Sequence, residues 1–231
     1  MNIRKAEARD IPATAAQYEE LHAARRGGVF IAFEGIDGSG KTTQLALLKA
    51  RLEAEGFSVL STKEPTDGPV GRLLRQVLTG EVKMDERVAV PLFAADRLDH
   101  LLNPADGLRA ALERGLNVLT ERYYFSSYAY QTAPCTPMER VIEANAECAA
   151  LLRPTVTVFF DLDPEEALRR IAVGRGQTEL FETRERLTAV RRNYLMAFER
   201  LRDVENVLIV DAALPPQALA EELWKRLNHY F

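Results

Sequence analysis

Two hydrophobic rhythms alternate along the chain. Short β-branched and aromatic runs at Val29 to Phe33, Ser58 to Thr62, Leu116 to Thr120, Thr155 to Phe160 and Val207 to Val210 predict buried strands. Between them, apolar residues return at helical spacing. Leu45, Leu48 and Leu52 mark one face of a helix that Gly56 closes, and Val70 to Leu78 predicts another that ends at Gly80. Asp85 is placed to cap a helix through Leu92, Phe93, Leu98 and Leu101, and Asn103-Pro104 opens one that runs to Gly115. Further helices are expected over Pro137 to Leu151, Pro164 to Gly174, Thr183 to Leu201 and Pro215 to Leu227. Strands alternating with helices predict right-handed βαβ units, hence the α/β class with a parallel sheet flanked by helices on both faces. Ligands of such folds gather beyond the carboxyl ends of the strands.

This pattern occupies residues 27–231. Residues 1–26 stand apart: Ile3-Arg4-Lys5-Ala6, then Asp10-Ile11-Pro12-Ala13 and a helix through Tyr18 and Leu21, predict a strand-helix appendage that serves packing or an oligomer contact. This opening resembles that of GNAT acetyltransferases, but no Q/R-x-x-G-x-G/A loop follows it, so acetyl transfer is not expected. At 231 residues and 47% hydrophobic content the chain can bury a full core, and its net charge of −4 argues against a nucleic-acid-binding surface. Cys135 and Cys148 lack metal-ligand spacing and read as free thiols of a reducing compartment. No apolar run is long enough to span a membrane, and the N-terminus lacks the apolar core of a signal peptide. A cytoplasmic protein with neither a membrane nor a nucleic-acid partner is expected.

The segment Gly35-Ile36-Asp37-Gly38-Ser39-Gly40-Lys41-Thr42 fits G-x-x-x-x-G-K-[ST] and sits between the first predicted strand and helix. That order of elements turns successive backbone N–H groups and a helix N-terminus toward an anion. Lys41 would add charge at the β- and γ-phosphates of a nucleotide, and the Thr42 hydroxyl would hold Mg²⁺. A GTPase would carry N-K-x-D, and the chain has no such tetrapeptide. It does carry a set of arginines expected at the cleft: Arg72, Arg75, Arg97, Arg122, Arg169, Arg170 and Arg175. Guanidiniums converging on one cleft suit two phosphorylated ligands held end to end.

Four segments, in order, make the chain resemble thymidylate kinase, a nucleoside monophosphate kinase of the P-loop class. Phe33 to Gln44 is similar to that family's first motif, and Lys63-Glu64-Pro65 resembles its R-E-P loop. Leu92-Phe93-Ala94-Ala95-Asp96-Arg97 resembles L-F-A-x-x-R. Glu121-Arg122-Tyr123 with Ser126-Ser127-Tyr128-Ala129-Tyr130-Gln131 resembles D-R-Y followed by S-S-x-A-Y-Q. The resemblance covers about residues 28 to 212 and implies transfer of a phosphoryl group from Mg-ATP to dTMP, a short lid, and a homodimer. It implies ATP binding by Gly35, Ile36, Asp37, Gly38, Ser39, Gly40, Lys41, Thr42, Thr43 and Arg170. It implies that Phe93 stacks on thymine, Arg97 meets a base carbonyl, and Arg75 and Arg122 grip the acceptor phosphate. Ser127 and Gln131 would read the base edge, Tyr130 would pack on the deoxyribose, and Glu64 and Asp37 would lie beside the acceptor. Lys41, Arg122, Asp37 and a lid arginine, Arg175, would form the catalytic set, with Asp37 and Glu121 near the metal through water.

The chain departs from the family pattern in three places. Glu121 replaces the usual Asp, a feature of deoxynucleoside kinases, where it deprotonates a sugar hydroxyl; that activity, or nucleotide binding without catalysis, is the alternative reading. Gly38 stands where some relatives carry a loop arginine, which would move that charge to the lid. Val173 to Glu179 resembles such a lid, with Arg170 and Arg175 as candidates, but the following Glu179-Leu180-Phe181-Glu182 lacks the arginine of D-R-x-E.

Overall fold

The computed structural model describes residues 27–174 and 183–231. Within them β1 (Phe30–Glu34), β2 (Val59–Lys63), β3 (Asn117–Glu121), β4 (Val156–Asp161) and β5 (Val207–Asp211) form one parallel sheet in the order β2-β3-β1-β4-β5. The helices are α1 (Lys41–Ala54), α2 (Pro69–Leu78), α3 (Glu86–Leu102), α4 (Leu108–Glu113) and α5 (Tyr124–Tyr130). They continue with α6 (Met138–Ala144), α7 (Ala146–Leu151), α8 (Pro164–Gly174), α9 (Arg184–Leu201) and α10 (Pro216–Leu227).

Side chains of a strand alternate between the two faces of the sheet, and both faces here are apolar. On one, Phe33 of β1 stacks with Phe160 of β4 at 5.5 Å between ring centroids. On the other, Phe159 meets Tyr194 and Phe198 of α9, each at 5.0 Å, and Phe198 meets Phe125 of α5 at 4.8 Å. Helices α1 and α10 pack against each other, as do α5 and α9. Two connections put β1 in the centre, beside β3 and β4, so the phosphate loop leaves from the middle of the sheet.

The expected α/β class and the alternation of elements are present, with three differences. The helix expected from Asn103 begins only at Leu108: Asn103 Oδ1 accepts the Ala105 N–H and Asn103 O accepts the Gly107 N–H, a turn that delays the helix. The helix expected over Pro137 to Leu151 breaks at Asn145, whose amide donates back to Val141 O while its oxygen accepts from Arg97. The run after β3 is itself a helix, α5, buried on nearly every side from Tyr124 to Ala129, so it carries no amphipathic signal. Asp85 caps α3 as expected, accepting the Arg87 N–H at 2.9 Å. The appendage expected at residues 1–26, and the lid expected at Val173 to Glu179 from Arg175 onward, lie outside the described residues.

Candidate active site

Strand β1 delivers the phosphate loop, and α1 begins at Lys41 directly after it. The loop lines a cleft of about 600 Å³ with Asp37 to Gln44 and Glu121 on one side and Glu166, Arg169 and Arg170 of α8 on another. The segment from Ala212 to Pro216, which links β5 to α10, closes a third side. Lys41 Nζ donates to Gly35 O at 3.1 Å and Ile36 O at 2.9 Å. Burial, reinforced by the nearby Arg122 charge, pushes the Lys41 pKa down to about 8. The Thr42 hydroxyl donates to Glu121 Oε2 at 2.7 Å, so its lone pairs are left for another partner. Arg170 donates to Glu166 at 2.7 Å and to Ala212 O at 2.9 Å, bridging α8 to the third wall. Gly38 has φ +78°, and a Cβ there would lie 2.6 Å from Ala167 O and 3.1 Å from Ile171 of α8. A side chain at this loop position is therefore excluded by the backbone of α8, which is the physical reason for glycine here.

Next to the loop lies a triangle of Asp37, Arg122 and Tyr130. Arg122 Nη2 donates to Asp37 Oδ1, and the Tyr130 hydroxyl donates to Asp37 Oδ2 at 2.9 Å. Arg122 also sits 4.8 Å from the Tyr130 ring centroid. Burial opposes its charge, yet Tyr130 and Asp37 outweigh that and hold the guanidinium firmly protonated. Its backbone has φ +70°, a strained value for a residue with a Cβ. The strain is held in place from both ends: Arg122 N donates to Phe33 O at 2.9 Å, and Glu34 grips the residues that follow. Glu34, fully buried, accepts Tyr123 N–H at 2.8 Å, Ser126 N–H at 3.1 Å, the Ser126 hydroxyl at 2.6 Å and the Tyr194 hydroxyl at 2.9 Å. A carboxylate from β1 thus serves the first turn of α5 in place of a local cap. Burial raises its pKa, while Ser126 and the Arg122 charge act against that rise.

A second cluster joins β2, α3 and α5. Arg97 is 1% exposed and pairs with Glu64: Nε donates to Oε2 at 2.8 Å and Nη2 lies 2.7 Å from the same oxygen. Arg97 Nη1 donates to Ser127 Oγ at 3.1 Å and to Asn145 Oδ1. Asp96, beside it in sequence, accepts Thr66 N–H and Oγ1–H at 2.8 and 2.6 Å, pinning the loop after β2 to α3. Arg75 donates to Pro65 O and Asp67 Oδ1 of the same loop, each at 2.9 Å, from a partly exposed position on α2. Phe93, one helical turn before Arg97, is half-buried and outside the set of side chains packed on the core. Its alternative role as a core aromatic is not what the packing shows. Gln131 follows α5, and its amide oxygen is buried without a hydrogen-bond partner among the described residues.

The structure thus gathers the expected residues into two neighbouring groups, with Asp37 in the phosphate loop reaching across to Arg122 and Tyr130. Gly35 and Ile36 act through their carbonyls on Lys41, Thr43 lines the cleft from an exposed position, and Arg175 lies outside the described residues. Sequence reasoning missed Glu34, His100, Asn145, Tyr194 and the Ala212 to Pro216 wall. Only His100 left a local trace: it falls three residues after Arg97, on the same helical face. Among the described residues no helix is long and apolar enough to cross a membrane.

The Thymidylate kinase family profile matches residues 33–223. The chain is 41% identical over 207 residues to the thymidylate kinase of Deinococcus radiodurans, covering 87% of this chain and 97% of that one. It is 40% identical over 201 residues to the thymidylate kinase of Thermomicrobium roseum, covering 84% and 92%. It is 38% identical over 185 residues to a probable thymidylate kinase of Pyrococcus horikoshii, covering 78% and 87%. A strand-borne phosphate loop, an arginine cluster facing it and matches of this extent together make the chain a member of the thymidylate kinase family.

Proposed function

We propose that this kinase transfers the γ-phosphoryl group of ATP to dTMP, giving dTDP and ADP for dTTP synthesis. The observation that carries the reading is the Asp37–Arg122–Tyr130 triangle, which joins the phosphate loop to the arginine cluster. ATP fills the cleft of the phosphate loop, its base toward Ala212 to Pro216 and Arg170 beside it. The dTMP base lies by Phe93, Arg97, Ser127 and Gln131, its sugar by Tyr130 and Asp37, and its phosphate by Arg122 and Arg75. Glu64 reaches the acceptor through Arg97. The attacking oxygen belongs to a phosphate that is already anionic, so no general base is required. Catalysis then consists of in-line positioning and charge stabilisation, to which Lys41, Arg122 and a lid arginine, Arg175, contribute.

Magnesium fits the oxygen donors at Thr42 and Glu121. The Thr42 proton is committed to Glu121, leaving its lone pairs available, and the carboxylate, with Asp37 nearby, suits contact through water. When bound, the ion neutralises charge on the β- and γ-phosphates. The same hydrogen bond turns Glu121 toward the phosphate loop, which favours monophosphate phosphorylation over the deprotonation of a sugar hydroxyl by a deoxynucleoside kinase. A homodimer is proposed through α3, which exposes Val88 and Leu102 near its two ends, in a cytoplasmic enzyme. Steady-state rates with Mg-ATP and dTMP, dUMP, dCMP or thymidine test the reading. The highest kcat/KM is expected for dTMP; preference for thymidine, or no product from any monophosphate, would refute it.

A further inference from the structure

His100 lies in neither the phosphate loop nor the motifs that mark the acceptor side, yet it is built into the same carboxylate as Arg97. The two residues stand at i and i+3 on α3, so their side chains leave one face of the helix together. Each takes a different oxygen of Glu64. Arg97 meets Oε2 through both Nε and Nη2, and His100 Nδ1 lies 3.1 Å from Oε1. On its other side His100 Nε2 lies 2.9 Å from the Thr62 hydroxyl at the end of β2. The imidazole is 9% exposed, so this geometry is set by the protein rather than by solvent.

The chemistry of the partners places one ring proton. A carboxylate oxygen only accepts, so Nδ1 carries a proton, while the Thr62 hydroxyl can rotate to suit Nε2. The consequence lies at Arg97. Its Nη1 is spent on Ser127 and Asn145, its Nε on Glu64, and one N–H of Nη2 faces the same Glu64 oxygen. One N–H, on Nη2, remains to meet a ligand. Where it points depends on how the carboxylate sits. Arginine and a free carboxylate settle into a fork in which both oxygens take one N–H each. Here His100 holds Oε1, so the pair stays on a single oxygen.

We propose that His100 is a positioning residue for the acceptor base: by holding Glu64 Oε1, it fixes the direction of the free Arg97 N–H. The inference rests on the reading of Arg97 as a contact of the acceptor base.

Three variants test it. His100→Ala is expected to raise the KM for dTMP about tenfold, the worth of one hydrogen bond to a charged group, with kcat and the KM for ATP within about twofold. His100→Asn, whose amide N–H takes the place of Nδ1–H, is expected to restore the KM to within about threefold of wild type. His100→Gln, whose amide reaches past Glu64 toward Thr62, is expected not to. Equal KM rises for dTMP and ATP in His100→Ala, or no advantage of Asn over Ala, would overturn the proposal. Arg97→Lys separates the two layers. If it leaves the KM for dTMP unchanged, the reading of Arg97 fails; if it raises it while His100→Ala does not, the inference alone fails. The tautomer needs no variant: ¹⁵N NMR of the wild-type protein is expected to find the His100 proton on Nδ1, and a neutral ring protonated on Nε2 would contradict the arrangement.

Discussion

Glycines 38 and 40 share a backbone class and differ in one neighbour, which makes them a matched pair. Gly38 has φ +78° and Gly40 has φ +89°, so alanine at either carries the cost of a left-handed residue, about 1–2 kcal/mol. At Gly40 the new methyl meets nothing within 4 Å. At Gly38 it meets Ala167 O at 2.6 Å, a backbone atom in the first turns of α8 that cannot swing aside. Moving that helix to relieve the clash adds an overpacking cost of about 1–3 kcal/mol. Gly40→Ala should therefore lose about 1–2 kcal/mol and Gly38→Ala about 2–5, a difference of several degrees in thermal midpoint for a chain of this size. The difference has a functional counterpart, because α8 carries Arg170 against the cleft. Gly38→Ala should raise the KM for ATP several-fold while the KM for dTMP changes less. Calorimetry on both variants, with steady-state kinetics on Gly38→Ala, checks this. Equal midpoints for the two variants would refute the claim that α8 closes on the loop at Gly38, and so would a fully active Gly38→Arg.

Lys41→Met should abolish turnover yet stabilise the protein, by at most about 3 kcal/mol at pH 7, since the lysine is buried with its pKa lowered to about 8. Between about pH 8 and the ordinary 10.5 the unfolded chain holds a proton that the folded one has released, so the Lys41 contribution to stability rises with pH. The advantage of Met over Lys should accordingly shrink as thermal melts move from about pH 7 to about pH 10; an advantage that grows with pH would refute the sign. Arg122→Ala should raise the KM for dTMP about 10- to 100-fold and that for ATP far less, and equal effects would show that Arg122 belongs to the donor side. Glu34→Ala removes the acceptor of the buried Tyr123 and Ser126 N–H groups, leaving the Ser126 and Tyr194 hydroxyls to pair with each other, and should cost about 3–5 kcal/mol in urea unfolding. A loss under about 1 kcal/mol would mean that α5 is held by packing alone.

Where the physics is local, the sequence carries it in adjacent residues. The phosphate loop needs glycines at left-handed positions and a lysine at a helix start, and those letters sit next to one another. The strands were expected from β-branched runs, yet several ended one residue early in that reading, because the polar last positions, Lys63, Glu121, Asp161 and Asp211, still pair in the sheet. Those ends are where the site begins. Helix α5 is invisible to periodicity because its residues are buried nearly all round, and the break at Asn145 has no Gly or Pro beside it: Arg97, 48 positions away in sequence, donates to its side-chain oxygen. Glu34 reads as one apolar-flanked acid in a motif; its role as a cap for α5 exists only once β1 and β3 lie side by side. The wall from Ala212 to Pro216 likewise has no signature beyond a strand end and two prolines. The two-sided site was thus legible as a set of candidates, while the contacts that orient them are long-range and needed the fold.

The central claim is that the second ligand is a monophosphate, gripped by Arg122 across from the phosphate loop. One competition measures it most directly: equal amounts of dTMP and isotopically labelled thymidine with limiting Mg-ATP, products separated by ion-exchange chromatography. Unlabelled dTDP and ADP are expected in equal amounts, with the labelled thymidine unconverted. Labelled dTMP as the main product would contradict it.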